Sequence, residues 1–224
     1  MEQQYRLLTR SDFDGLVCAV LFKQLGMIDE IKFVHPRDMQ DGLIDVSERD
    51  ISTNLPYVEG VHLAFDHHYS ERLRVGYRPN HIIDPEAQSS ARVVYDYYGG
   101  GRRFSQIPED MMVAVDKGGS AQFSRDEVLD PEGWVLLNFI IDTRTGLGRF
   151  KNFRISNYQL MMDLIDYCTE YSIEDILKTA DVRERVKLYH QHQEPFKQQL
   201  REAAELYGNV LYIDMRGFDT VYAG

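Results

Sequence analysis

Short apolar runs that end in acids or imidazoles recur along this chain, and their spacing predicts strands alternating with helices. Tyr5-Arg6-Leu7-Leu8-Thr9 reads as a first strand, followed by the acidic turn Arg10-Ser11-Asp12-Phe13-Asp14-Gly15. The apolar run from Leu16 to Leu25 predicts a mostly buried helix that Gly26 stops. Ile31 to Val34 predicts a second strand with His35-Pro36-Arg37-Asp38 at its carboxyl end. Residues 40–51 are polar and acidic and give no clear register before the Asn54-Leu55-Pro56 turn. Val61-His62-Leu63-Ala64-Phe65 then predicts a buried strand that delivers Asp66-His67-His68 at its carboxyl end, where open α/β sheets bind ligands.

Farther on, Ser89 to Tyr98 has helical spacing, and Gly99-Gly100-Gly101 follows it as a loop; a phosphate cradle would precede a helix instead. Met111 to Val115 is apolar, with Asp116-Lys117 and then Gly118-Gly119-Ser120 behind it. Further helices are expected over 126–128, 131–141, 156–167 and 170–179, and a long charged one over 181–207 that Pro195 should kink or divide. His190 and His192, two apart, do not share a helical face and read as surface residues. Arg144, Arg149, Lys151 and Arg154 surround Thr145-Gly146-Leu147-Gly148, as a solvated loop or as a phosphate-attracting rim. Asn209 to Asp214 predicts a strand that opens a new unit.

Composition narrows the class. A chain of 224 residues that is 43% hydrophobic and 27% charged can bury a substantial core. No apolar run approaches the ~18 residues that span a bilayer, and Met1-Glu2-Gln3-Gln4 has no signal-peptide pattern, so a cytoplasmic location is expected. Cys18 and Cys168 read as reduced packing residues. The net charge of −11 argues against duplex nucleic acid as a partner. It leaves anionic substrates open, because bound divalent cations reverse the sign of a local site.

The candidate chemistry lies in the acids that follow apolar runs. Asp12 and Asp14 stand two apart in an extended turn, which lets both carboxylates join one polar cluster; helix capping accounts for one of them alone. Asp66 and Asp116 have the same placement, and one convergent site is the economical account, although Asp116 also reads as a satisfied residue at a helix end. Asp50 enters by position only, and Asp45 or Glu48 would serve as well. Asp12, Asp14, Asp50, His67 and Asp116 together make an oxygen-rich set with one imidazole, suited to Mn²⁺ or Mg²⁺ and unlike a structural zinc site. Such a set can hold two ions about 3.5–4 Å apart for hydrolysis of a phosphate ester or anhydride.

The Ser11-Asp12-Phe13-Asp14-Gly15 turn, the Asp66-His67-His68 triplet and Val115-Asp116 together resemble the motifs of the DHH phosphoesterase superfamily. That superfamily includes RecJ-type exonucleases, family II inorganic pyrophosphatases, oligoribonucleases and exopolyphosphatases. The resemblance implies an α/β fold with a mostly parallel sheet flanked by helices over residues 1–180. It also implies a linker helix over 181–208 and, from 209 to 224, the start of a carboxyl-terminal substrate-binding domain that is cut short. The implied cofactor is a pair of Mn²⁺ ions, with Mg²⁺ as the alternative. Asp12 would bind one ion, Asp14 the other, Asp50 would bridge, and His67 and Asp116 would complete the set. His68 would act as an acid or phosphate contact, with Asp66 orienting an imidazole. Many members carry a histidine shortly before the first aspartate; here Leu8 and Arg10 stand nearby, and Arg10 becomes a catalytic and substrate-binding candidate beside His68.

The expected function is metal-dependent hydrolysis of polyphosphate, short oligonucleotides or small nucleotides, with His68 or Arg10 neutralising developing charge. The acidic balance and the lack of an aromatic–basic stripe favour polyphosphate or a general phosphoester over a long nucleic-acid track. No membrane partner is expected, and homodimerisation is left open. The alternative is a metal- or nucleotide-binding regulatory module without turnover; a third reading is a structural α/β domain with incidental acids.

Overall fold

The computed structural model describes residues 3–143, 150 and 152–217. Its first part alternates strand and helix: β1 (Tyr5–Arg10), α1 (Phe13–Leu25), β2 (Ile28–Val34), α2 (Pro36–Gln40), β3 (Asp50–Thr53), β4 (Leu63–Asp66), α3 (Tyr69–Val75) and β5 (His81–Ile83). The five strands pair in parallel in the order β2-β1-β3-β4-β5, so the fold is the expected α/β sheet flanked by helices. From β1 the chain winds to β2 on one side and returns to β3 on the other. The carboxyl ends of β1 and β3 therefore flank a topological switch point, where doubly wound sheets open a ligand crevice.

Both faces of β1 are buried. Leu7 joins the core formed with α1, while the adjacent Leu8 joins a second cluster with Val34, Met39, Leu55 and Tyr57 on the opposite face. Helix α1 is apolar nearly all round and buried from Phe13 to Phe22, as a helix enclosed by other elements must be. Asp12 caps its amino end and Gly26, at φ 68°, ends it. The helices that enclose α1 follow the sheet: α4 (Ser90–Tyr97), α5 (Glu109–Ser120), α6 (Arg125–Leu129), α7 (Gly133–Ile141), α8 (Asn157–Glu170), α9 (Ile173–Lys178) and α10 (Ala180–Ala203). Of these, α4, α5, α7 and α8 pack directly on α1. Cys18 and Cys168 are both free and buried.

Several elements differ from the sequence reading. β3 occupies the stretch without register, because a four-residue strand, Asp-Ile-Ser-Thr, carries one apolar side chain and is held by its neighbours. Helix α10 passes through Pro195 undivided and ends at Ala203. Residues 204–207, expected to be helical, form β6 (Ala204–Tyr207), which pairs antiparallel with β7 (Val210–Ile213) across Gly208 at φ 63°. Arg144, Arg149 and Lys151 lie outside the described residues; Arg154 pairs with Asp181 at 3.3 Å. Among the described residues no helix is long and apolar enough to cross a membrane.

Candidate active site

The carboxyl ends of β1, β3 and β4 converge on one crevice. β1 ends at Arg10, and the turn after it is so tight that a Cβ on Gly15 would lie 1.9 Å from the Arg10 carbonyl oxygen. Asp12 Oδ1 accepts the Gly15 N–H at 2.9 Å, and Asp12 Oδ2 pairs with Arg10 Nε at 3.0 Å. From the end of β3, Asn54 Nδ2 donates to both carboxylate oxygens of Asp12 at 3.2 and 3.4 Å. Asp12 is thereby fixed from three sides.

Asp14 lies deeper, at 7% exposure. Its oxygens accept the backbone N–H groups of Ser90 at 2.9 Å and Ala91 at 2.7 Å, the first turn of α4, where free amides favour an anion. Burial and then the nearby Asp12 charge push its carboxyl up to about 7, against the pull of those two amides. Close approach of α5 closes this corner: a Cβ on Gly119 would meet the Gln88 carbonyl oxygen at 2.3 Å.

β4 ends on Asp66, which is 1% exposed and acts as the template for both histidines. Its Oδ1 accepts the backbone N–H of His67 at 2.8 Å, that of His68 at 3.3 Å and His68 Nδ1–H at 2.7 Å. That hydrogen bond raises the His68 imidazole above its ordinary value. Burial, followed by the charge of His68, lowers His67. His67 Nδ1 lies 3.3 Å from the Ala87 carbonyl, which can only accept, so Nδ1 carries the proton and the lone pair is on Nε2. That Nε2 faces Asp14 Oδ2 at 3.9 Å.

Arg10, Asp12, Asp14, His67 and His68 therefore line one cavity, together with Asn54, Val115 and Gly118–Gly119 of α5, Asn138 of α7 and Asp142, which caps the carboxyl end of α7. Two expected residues do not join them. Asp50 sits at the amino end of β3, opposite Arg6 in the β1 register, and its carboxylate is spent on Arg6 Nε at 2.6 Å, Ser47 N at 2.6 Å and Ser47 Oγ at 3.1 Å. Three residues of strand, about 10 Å, separate it from the crevice. Asp45 and Glu48 precede it at the same end and are exposed. Asp116 is nearer but does not line the cavity: it pairs with Arg92 at 2.6 and 3.0 Å and accepts Ser89 Oγ–H at 2.8 Å. It thus steadies the segment that presents Ser90 to Asp14.

The sequence reading missed Asn54, Asn138 and Asp142. Asn54 stands after Thr53 at φ 53°, a conformation that asparagine tolerates better than most residues, and its turn position was the available signal. Nothing local marks Asn138 and Asp142, which reach the crevice only because α7 packs against α5.

The donor atoms suit a hard divalent cation. Asp12 and Asp14 offer oxygens, His67 offers a neutral nitrogen, and donor atoms of Asp66, His67 and His68 lie within 4.8 Å of one another. The 3.9 Å between His67 Nε2 and Asp14 Oδ2 is too long for a hydrogen bond but is the span of two atoms each about 2.1 Å from a shared ion.

No protein-family model matches the chain, and no curated protein does. An uncharacterized protein from Helicobacter pylori G27 aligns with TM-score 0.37 and 12% identity over 93% of this chain and 73% of that one, too weak a likeness to carry an argument. A far stronger likeness is to the solved structure of the pGpG-specific phosphodiesterase PggH from Vibrio cholerae. It has TM-score 0.88 and 57% identity, over 99% of this chain and 71% of that one. Identity of that degree along nearly the whole chain shows that this protein belongs to the family of the phosphodiesterase PggH.

Proposed function

We propose that this protein is a divalent-cation-dependent phosphodiesterase of the DHH type that cleaves pGpG and similarly short oligonucleotides. The observation that carries the reading is the 57% identity to a pGpG-specific phosphodiesterase, in a chain whose crevice gathers Asp12, Asp14, His67 and His68. PggH turns the substrate choice from polyphosphate to a short oligonucleotide. The cavity is small, about 70 Å³, and walled mainly by charged and polar side chains, which suits the phosphodiester group.

Asp12, Asp14 and His67 would hold the cations, Mn²⁺ or Mg²⁺. Bound there, such ions supply Lewis acidity toward the phosphoryl oxygens and make water more acidic. The chain's own groups do the rest. Asp66 accepts His68 Nδ1–H and raises the imidazole above its ordinary value, which favours the doubly protonated form whose Nε2–H donates to a phosphate oxygen or to the departing alkoxide. Arg10 spends Nε on Asp12 and has guanidinium N–H groups left for the substrate phosphate. Asn54 and Asn138 add neutral amides to the wall. Asp14 is held at the inner corner, 7% exposed, by the first-turn amides of α4.

The test is chromatographic analysis of pGpG incubated with wild type and Asp14→Ala in Mn²⁺ and in EDTA. Mononucleotide release that needs the metal and falls at least about a hundredfold in Asp14→Ala is expected, the scale of losing one charge-stabilising group. Uncleaved pGpG in both Mn²⁺ and Mg²⁺ overturns the reading. The Arg10–Asp12 ion pair, which sets a fixed cation against one ligand, favours a second reading: a module that binds the nucleotide without turnover. Binding of pGpG with no cleavage would establish it.

A further inference from the structure

The fold assembles an aromatic–basic surface that is inconspicuous in the linear sequence. Beyond the catalytic crevice, α3 and the edge strand β5 enclose a cavity of about 420 Å³ lined by Arg72, Gly76, Tyr77, Arg78, His81 and Ile83. Each side chain in that wall able to carry charge at neutral pH is basic, in a chain of net charge −11. Among the described residues the Arg72 side chain makes no hydrogen bond or ion pair, and the Arg78 guanidinium bonds only the Tyr77 carbonyl, at 3.0 Å. Arg74 on the same helix shows the usual alternative: it is committed to Glu71 at 2.7 and 2.8 Å and to the Tyr57 carbonyl at 2.8 Å.

Two rings complete the wall. Tyr77 is 87% exposed, the most open of the large hydrophobic side chains among the described residues. His81 is 7% exposed and stacked on Tyr57 at 5.0 Å, and neither of its ring nitrogens has a hydrogen-bond partner among the described residues. A buried imidazole with both nitrogens unsatisfied is costly unless something supplies a bond.

We propose that this cavity is a second site, which takes a nucleoside monophosphate: Arg72 and Arg78 hold the phosphate and Tyr77 stacks on the base. Two guanidinium forks match a phosphate dianion. An exposed tyrosine is a stacking platform that tolerates any base. The volume exceeds what a phosphate alone fills and lies in the range of small-ligand pockets. The site is separate from the crevice yet mechanically joined to it, since α3 has His68 as its N-cap and Gly76 as its C-cap, about 12 Å apart. The assignment goes beyond the hydrolytic reading and does not depend on turnover.

Calorimetric titration in EDTA, where cation-dependent binding in the crevice is absent, tests it with three probes: guanosine 5′-monophosphate, inorganic phosphate and guanosine. The monophosphate should bind at least about tenfold more tightly than either fragment, and Arg72→Ala/Arg78→Ala should weaken it about tenfold or more, the scale of losing charge-assisted bonds. Tyr77→Ala should bring the monophosphate close to inorganic phosphate, and Arg10→Ala should change nothing. Unaltered affinity in the double variant, loss of binding in Arg10→Ala, equal affinities for phosphate and monophosphate, or no binding of the monophosphate would each overturn the proposal.

Discussion

Asp66 Oδ1 and His68 Nδ1 lie 2.7 Å apart, and the same carboxylate oxygen receives the backbone N–H groups of both histidines. One buried acid thus sets the orientation of the imidazole that faces solvent and raises its affinity for a proton. Asp66→Asn keeps the shape but removes the charge, so the His68 imidazole should fall back toward its ordinary value, read by NMR titration. Turnover should drop about 10–100-fold, the usual effect of removing a carboxylate that orients a histidine. An unmoved His68 titration would show that Asp66 does not govern it.

Asp50 and Arg6 should behave as structural residues. Their bidentate pair sits at the amino end of the sheet, with Asp50 1% exposed and Arg6 partly open to solvent. Asp50→Ala should lower stability by roughly 2 kcal/mol, since the loss leaves Arg6 Nε and the Ser47 amide without an acceptor, while Arg6 keeps only its bond to the Asp45 carbonyl. The Mn²⁺ concentration that half-activates the proposed hydrolysis should stay as in wild type. A changed metal requirement in Asp50→Ala would return this residue to the site.

The turn at Gly15 and the helix contact at Gly119 tolerate no side chain. Added Cβ atoms would lie 1.9 Å from the Arg10 carbonyl oxygen and 2.3 Å from the Gln88 carbonyl oxygen, both rigid backbone. Gly15→Ala and Gly119→Ala should each cost about 3 kcal/mol or more, the upper end of overpacking, in urea unfolding. Gly42→Ala, with nothing within 4 Å but a φ of 72°, should cost only about 1 kcal/mol.

Asp14 gives the metal-free protein a pH-dependent stability. Its folded-state value is about 7 against the ordinary 3.8, so between those values the native protein holds a proton that the unfolded chain has released. The stabilising contribution is complete below pH 3.8 and is lost as pH rises through about 7. In EDTA, the Tm of wild type should therefore fall more steeply from about pH 4 to about pH 7 than that of Asp14→Asn. Mn²⁺ should flatten the wild-type slope by displacing the proton. Parallel slopes in EDTA would contradict the raised value.

The parts of the site legible in the sequence are those carried by short local segments. Asp12, Asp14, His67 and His68 belong to strand-to-turn junctions, where an apolar run announces the strand and the polar residues must come next. The Asp50 assignment failed for a related reason. A four-residue strand with one apolar side chain has no period that shows where it begins, and slipping its start by a few residues moves an acid from one end of the sheet to the other. The end of the long helix was misplaced because 204–207 carries helix-compatible residues and becomes a strand only by pairing with 210–213.

By itself, the order of apolar and polar residues determined the alternation of strand and helix, the buried character of α1 and the presence of acids and imidazoles at strand ends. These follow from periodicity and chain direction, which act over a few residues. The choice of Asn54 over Asp50 at the crevice, the pairing of Asp116 with Arg92, and the meeting of Asn138 and Asp142 with Asp14 were decided only by the tertiary structure. Each depends on strand order or helix packing that brings distant segments together, and such long-range contacts have no local period to reveal them.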